Sequence, residues 1–171
     1  MKTPERHDVQ WDAVSEAVET LREGDHDGAL RELNAALDRD PTNAYAHFFV
    51  GNVHFEREDF ELARQAYEEA VKHSPEYLGA IVGLGHALRS LGRFDEALRA
   101  GERALAASEN NDDPDAHFLL ALTYAAKNDP SRAIPHVEAF IASRPEVEAR
   151  YEAEALLQTL QGKAKPLMPV D

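Results

Sequence analysis

Cysteine is absent from this 171-residue chain, so neither a disulfide framework nor a thiolate metal site can form. Long apolar runs are absent too: nothing approaches the roughly eighteen consecutive apolar residues of a membrane span. Positive charge is scarce, with 18 Lys and Arg against 32 Asp and Glu and a net charge of −14. Nucleic-acid binding depends on neutralising phosphates, which such a surface would repel. The sequence also lacks a glycine-rich phosphate loop, a nucleophile elbow and a cysteine nucleophile. Paired carboxylates such as Glu68-Glu69 fall at adjacent positions, as on a solvated helix face. Together these absences set the expectation of a protein that is not an enzyme and takes no cofactor. The opening residues 1–8 are polar and charged rather than apolar like a signal peptide, and the expected compartment is the reducing cytoplasm.

What is present points to helices. The chain is rich in Ala, Leu, Glu and Arg, all good helix formers, and it is long enough for one domain with a sizeable core. Its acidity is uneven. Residues 1–77 hold 18 acids and 8 bases (18 − 8, net −10), whereas residues 78–111 hold four of each. Acidic side chains keep a repeat protein soluble, and the same charge would attract a basic partner.

One segment recurs. Gly24-Asp25-His26-Asp27-Gly28-Ala29-Leu30 returns as Glu58-Asp59-Phe60-Glu61-Leu62-Ala63-Arg64, as Gly92-Arg93-Phe94-Asp95-Glu96-Ala97-Leu98 and as Asn128-Asp129-Pro130-Ser131-Arg132-Ala133-Ile134. The alanines at 29, 63, 97 and 133 are spaced 34, 34 and 36. A second row, Ala36, Ala70, Ala104 and Phe140, keeps the same spacing, and a third, Ala17, Gly51, Gly85 and Ala121, is uniformly small. Pro41, Pro75 and Pro145 close three of the copies.

With these landmarks the chain resembles the tetratricopeptide-repeat (TPR) family over about residues 8–145. The resemblance implies an all-α, right-handed superhelix of antiparallel helix pairs. The expected layout is a single domain over 1–161, with repeats near 8–43, 44–77, 78–111 and 114–147, a capping helix over 146–161 and a mobile tail over 162–171. Physical chemistry points the same way. Small residues at 51, 85 and 121 and the alanines opposite them let two helices approach closely. Leu33, Tyr67 and Val137 are expected to fill the space between repeats, since a lone hairpin cannot bury its apolar face.

Several stretches depart from the pattern. Gly101 stands mid-helix where a large residue is usual, implying either close helix approach or a local cavity. Two extra residues precede Pro114, where Asp113 suits an N-cap, and the acidic run there lacks the alternating ligands and central glycine of a calcium loop. The first helix can be read in two registers, one without a gap that turns Glu16 and Thr20 to the core and one offset by two, and a rotated or offset helix with Trp11, Val14, Val18 and Leu21 on its apolar stripe is expected. In the capping helix, Tyr151, Ala155 and Leu156 are expected to pack on the fourth repeat while Glu148, Glu152 and Glu154 face water.

In the family, the first helix of each repeat lines a concave groove where ligands lie. Carried over, those positions are Tyr45, Phe48, Asn52 and Phe55 of the second repeat, Val82, His86 and Arg89 of the third, and Phe118 and Leu122 of the fourth. The set is apolar, and aromatics in a concavity are the residue types that anchor partners. Members that grip chaperone carboxylates use lysines, asparagines and an arginine here. In this chain only Asn52 and Arg89 match that chemistry, so a co-chaperone role is not expected. The expected partner is another protein or peptide presenting an apolar or amphipathic segment, with a second copy of the chain, or its own proline-flanked tail, as the alternatives. The eight histidines suggest no metal site: His47 and His117 share a packed repeat position, and Asp25-His26-Asp27 fills a turn.

Overall fold

The structure, a computed structural model, describes residues 5–164. Those residues form ten α-helices and no strand: α1 (Arg6–Asp12), α2 (Ser15–Arg22), α3 (His26–Arg39), α4 (Ala44–Glu56), α5 (Phe60–His73), α6 (Leu78–Ser90), α7 (Phe94–Ala107), α8 (Pro114–Ala126), α9 (Pro130–Ala142) and α10 (Val147–Ala164). A single 3-10 turn, Glu109–Asn111, takes up the extra residues before α8. The chain divides into two compact units, Met1–Leu91 with α1 to α6 and Gly92–Asp171 with α7 to α10.

The helix ends follow from local chemistry. Asp25, Asn43, Asp113 and Asp129 each accept an amide from the first turn of the helix they precede, and Pro114 and Pro130 occupy first helical positions. Between successive helices the chain turns through one residue at positive φ at Gly24, Glu58, Gly92 and Asn128, at 83°, 62°, 74° and 56°. Following amides close three of these turns, Asp25 to the Thr20 carbonyl, Asp59 to His54 and Asp129 to Tyr124, at 2.9–3.1 Å.

The first unit is built on two apolar clusters. Val14, Ala17, Leu33, Ala36 and Ala46 join α2, α3 and α4, while Ala63, Tyr67 and Ala87 join α5 and α6. Tyr67, 3% exposed, fits only because glycines face it: a Cβ on Gly51 or Gly83 would stand 2.6 or 2.7 Å from its ring. In the second unit Leu120, Tyr124, Val137 and Phe140 pack with Ala153 and Leu160 of α10. Gly101 belongs to that packing. A Cβ there would lie 2.7 Å from Leu120, so the residue marks close approach rather than a cavity.

Two expectations need correction. The first helix is not one offset helix but two, broken at Ala13 and Val14, where the Ser15 hydroxyl donates to the Asp12 carbonyl. The break buries Val14 against α3, with Val18 buried as well, yet leaves Trp11 42% exposed, its ring edge-on to Tyr45. In α10 the buried residues are Ala153 and Leu160, at 0% and 2%, whereas Tyr151 is 69% exposed and Ala155 is exposed as well. The stripe Ala149, Ala153, Leu156, Leu160 keeps the helical period across the whole helix, and Tyr151 lies off it. Residues 162–164, expected in the tail, are helical, and 165–171 lie outside the described residues.

Candidate functional site

Tyr45, Phe48, Asn52 and Phe55 follow one another at three- and four-residue steps, which puts them on one face of α4. Val82, His86 and Arg89 do the same on α6, which packs against α4 within the first unit. Small residues make that approach possible, and Tyr67 of α5 ties it with a hydroxyl that donates to Asn52 Oδ1 at 2.8 Å. Val82 departs from its expected lining role because it is 7% exposed and part of the core.

The aromatic positions are half-buried rather than open. Phe48 lies 5.1 Å from Phe49 and 5.0 Å from Tyr77 between ring centroids, and Phe55 lies 5.3 Å from Phe60 and 6.5 Å from His86. Tyr45 meets Tyr77 at 5.3 Å and Trp11 at 5.5 Å, and its hydroxyl bonds the His7 ring. The result is a continuous band of rings from His7 through Tyr45 and Tyr77 to Phe48. Beside it opens a cavity of about 610 Å³ lined by Arg6, His7, Gln10, Tyr45, His73 and Tyr77 among others.

Tyr77 is a lining residue that the repeat pattern alone does not point to, although its position carries a signal. It stands where the neighbouring repeats place Asn43 and Asp113, both N-caps, and a tyrosine there makes no side-chain cap. Of the remaining expected positions, Phe118 and Leu122 lie in the second unit, half-buried, with Phe118 stacked on Phe140 at 4.5 Å.

Electrostatics single out one group. Burial, and then the Arg89 charge, push the His86 imidazole down to about 4, so it is neutral near pH 7. Burial also lowers Arg89, yet an arginine stays charged, and its Nε is buried without a hydrogen-bond partner among the described residues. Tyr67 and Tyr77 are held protonated by burial. The face therefore combines half-buried rings with the Arg89 cation, an arrangement suited to an apolar segment that also carries an anionic group. One further cluster lies on the α4–α5 hairpin, where His47, Glu69 and His73 bring a ligand atom each within 4.8 Å of the others.

Comparison with known proteins identifies the repeat. A family profile described as "Tetratricopeptide repeat" matches residues 15–77 and 82–148, and another of the same description matches residues 54–107. Anaphase-promoting complex subunit 7 of Arabidopsis thaliana is 31% identical over 142 residues, which is 82% of this chain and 24% of that protein. The chain thus spans about a quarter of the length of this curated relative. Among solved structures, a thermophilic TPR protein of Thermus thermophilus matches with a TM-score of 0.72 and 20% identity over 88% of this chain and 80% of that one. A chain of the Cut9–Hcn1 hetero-tetramer of the anaphase-promoting complex gives 0.76 and 23% identity over 88% and 30%. At such identities the likeness is one of fold. No helix among the described residues is long and apolar enough to cross a membrane.

Proposed function

Because the chain belongs to the tetratricopeptide-repeat family, we propose that it is a docking scaffold, without catalytic activity of its own, that holds an apolar or amphipathic segment of another protein. The groove runs over Tyr45, Phe48, Asn52 and Phe55 of α4 and His86 and Arg89 of α6, with Phe118 and Leu122 offering a similar surface in the second unit. The observation that carries this reading is the run of half-buried rings along the α4 face, with the Arg89 charge beside His86 on α6. A segment that covers Phe48 and Phe55 gains apolar burial, and an acidic residue on it pairs with the Arg89 guanidinium. The similar proteins named above as complex subunits fit a role in assembly.

A second reading, self-assembly through the same kind of surface, draws on Val147 and Tyr151 of α10, which are 63% and 69% exposed. Light scattering over a concentration series separates the two. A strict monomer at high concentration rules out self-assembly, and growth in mass that Tyr151→Ser abolishes favours it.

The groove itself is tested with a displayed library of short random peptides selected on the full chain. The expected consensus has apolar residues at helical spacing plus one Asp or Glu. Arg89→Met and Phe55→Ala are each expected to weaken selected peptides by about tenfold, a loss of roughly 1.4 kcal/mol, with little change in the urea midpoint for Arg89→Met. Enrichment of basic peptides indifferent to Arg89 would overturn the reading and direct attention to the acidic face of residues 1–77.

A further inference from the structure

The second hairpin carries three groups that no other repeat combines. Glu69 and His73 stand one helical turn apart on α5, and His47 reaches them from α4. His73 Nε2 lies 3.5 Å from Glu69 Oε2, and the His47 and His73 rings face each other at 5.7 Å with 19° between their planes. All three residues are half-buried. Corresponding positions are Ala13, Ala35 and Arg39 in the first repeat, Ile81, Arg103 and Ala107 in the third, and His117, Ala139 and Ser143 in the fourth. Repeat packing therefore does not call for the trio.

His47 is already oriented. Its Nε2 lies 2.9 Å from the Pro41 carbonyl, which can only accept, so Nε2 carries the proton and Nδ1 keeps a lone pair. An outer hydrogen bond of this kind fixes the tautomer and orientation of metal-bound histidines.

We propose that His47, Glu69 and His73 form a binding site for a divalent transition-metal ion of the Zn²⁺ class. Two imidazoles and a carboxylate suit such an ion and leave a fourth tetrahedral position for water or an incoming side chain. Zinc bonds of about 2.0–2.2 Å place ligand atoms roughly 3.3–3.5 Å apart in a tetrahedron. The His73–Glu69 pair meets that spacing, and ligand atoms of all three residues lie within 4.8 Å of one another, so binding an ion requires a side-chain adjustment of roughly 1–1.5 Å. Lys72 competes for Glu69 at 2.9 Å from Oε2, but it is an exposed, screened partner that can keep Oε1, 3.1 Å away, when the metal takes Oε2. The bound ion would pin α4 to α5 and raise the melting temperature of the folded chain.

The test is calorimetric titration of the full chain, freed of any histidine tag, with ZnCl₂, paralleled by the visible absorption of Co²⁺. One equivalent of Zn²⁺ per chain, a raised melting temperature and a tetrahedral Co²⁺ spectrum are expected. His47→Gln and His73→Gln should each weaken binding by about tenfold or more. His117→Gln/His136→Gln, which removes the other close histidine pair with its 2.9 Å Nδ1–Nδ1 contact, should leave binding unchanged. Lys72→Ala should tighten binding by freeing Glu69, and it reads the same site without touching a ligand. The absence of stoichiometric binding by the folded wild-type chain would overturn the site. So would binding that survives both single ligand variants, or that disappears with the His117/His136 pair.

Discussion

Gly24, Glu58, Gly92 and Asn128 occupy equivalent turn positions, all at positive φ, and they do not bear that conformation equally. Glycine adopts it freely and asparagine tolerates it, whereas a glutamate Cβ crowds the neighbouring carbonyl at a cost of about 1–2 kcal/mol. Glu58→Gly should therefore stabilise the chain by roughly 0.5–1 kcal/mol, since the greater freedom of glycine in the unfolded state offsets part of the relief. Urea unfolding checks this as a higher midpoint at unchanged slope. An unchanged or lower midpoint would mean that the glutamate side chain contributes a compensating contact. This row of turns is legible in the sequence because each position precedes an Asp or Arg and lies five residues before a row alanine.

Between elements, Asn43 joins what the sequence keeps apart. Fully buried, it caps α4 through Oδ1, which accepts from the Ala46 amide at 3.1 Å, and its Nδ2 donates to the Gln10 carbonyl of α1 at 2.9 Å. Asn43→Ala removes a cap worth about 1 kcal/mol and strands a buried carbonyl at a further roughly 1–3 kcal/mol, so a loss of about 2–4 kcal/mol is expected. Asn43→Ser keeps a capping oxygen without burying a charge and loses the reach of the amide donor, so its thermal melt should fall between those of the wild type and Asn43→Ala. If Asn43→Ser melts like the wild type, the link to α1 contributes nothing. That link explains why the first helix is the hardest to read from its residues. The break at Ala13 and Val14 lets Gln10 serve α4 while Val14 serves α3, and a single helical period cannot describe residues that answer to two neighbours. In α10 the difficulty is another. The size of Tyr151 makes it look like an anchor, but packing follows the stripe that persists over the whole helix, and its members there include small alanines.

At the scale of the molecule, repeat spacing carries most of the fold, while the site is legible only in part. Helical faces place Tyr45, Phe48, Asn52 and Phe55 together, but the burial of Val82 and the ring contacts of Tyr77 depend on how neighbouring helices pack, which one helix's pattern does not contain. His47, Glu69 and His73 lie 22 and 4 residues apart, and their meeting depends on the register between two helices. That same packing makes stability sensitive to acid. His86 is pushed down to about 4 by burial and then by Arg89, and His136 is lowered by burial and then by His117. Unfolded histidine binds its proton near pH 6.5, so in both cases the unfolded chain holds more protons below that value. Stability is then complete above about pH 6.5 and falls as pH drops toward the folded values, by up to about 3 kcal/mol for His86 and by less where water reaches the ring. Asp27, Asp40, Asp95 and Asp129 are lowered by Arg57, Thr42, Lys127 and Arg132 respectively, and their share is lost only below about pH 4. The net charge of −14 opposes the trend, because charging histidines relieves repulsion, but at about 0.15 M salt screening over roughly 8 Å leaves burial dominant. Urea unfolding at pH 7 and pH 5 should show a clear loss of stability. His86→Gln should remove the larger part of that loss and His136→Gln a smaller part. A wild-type profile flat across that interval would mean that both rings titrate in the folded chain as they do in the unfolded one, and that α6 holds His86 less tightly than its packing implies.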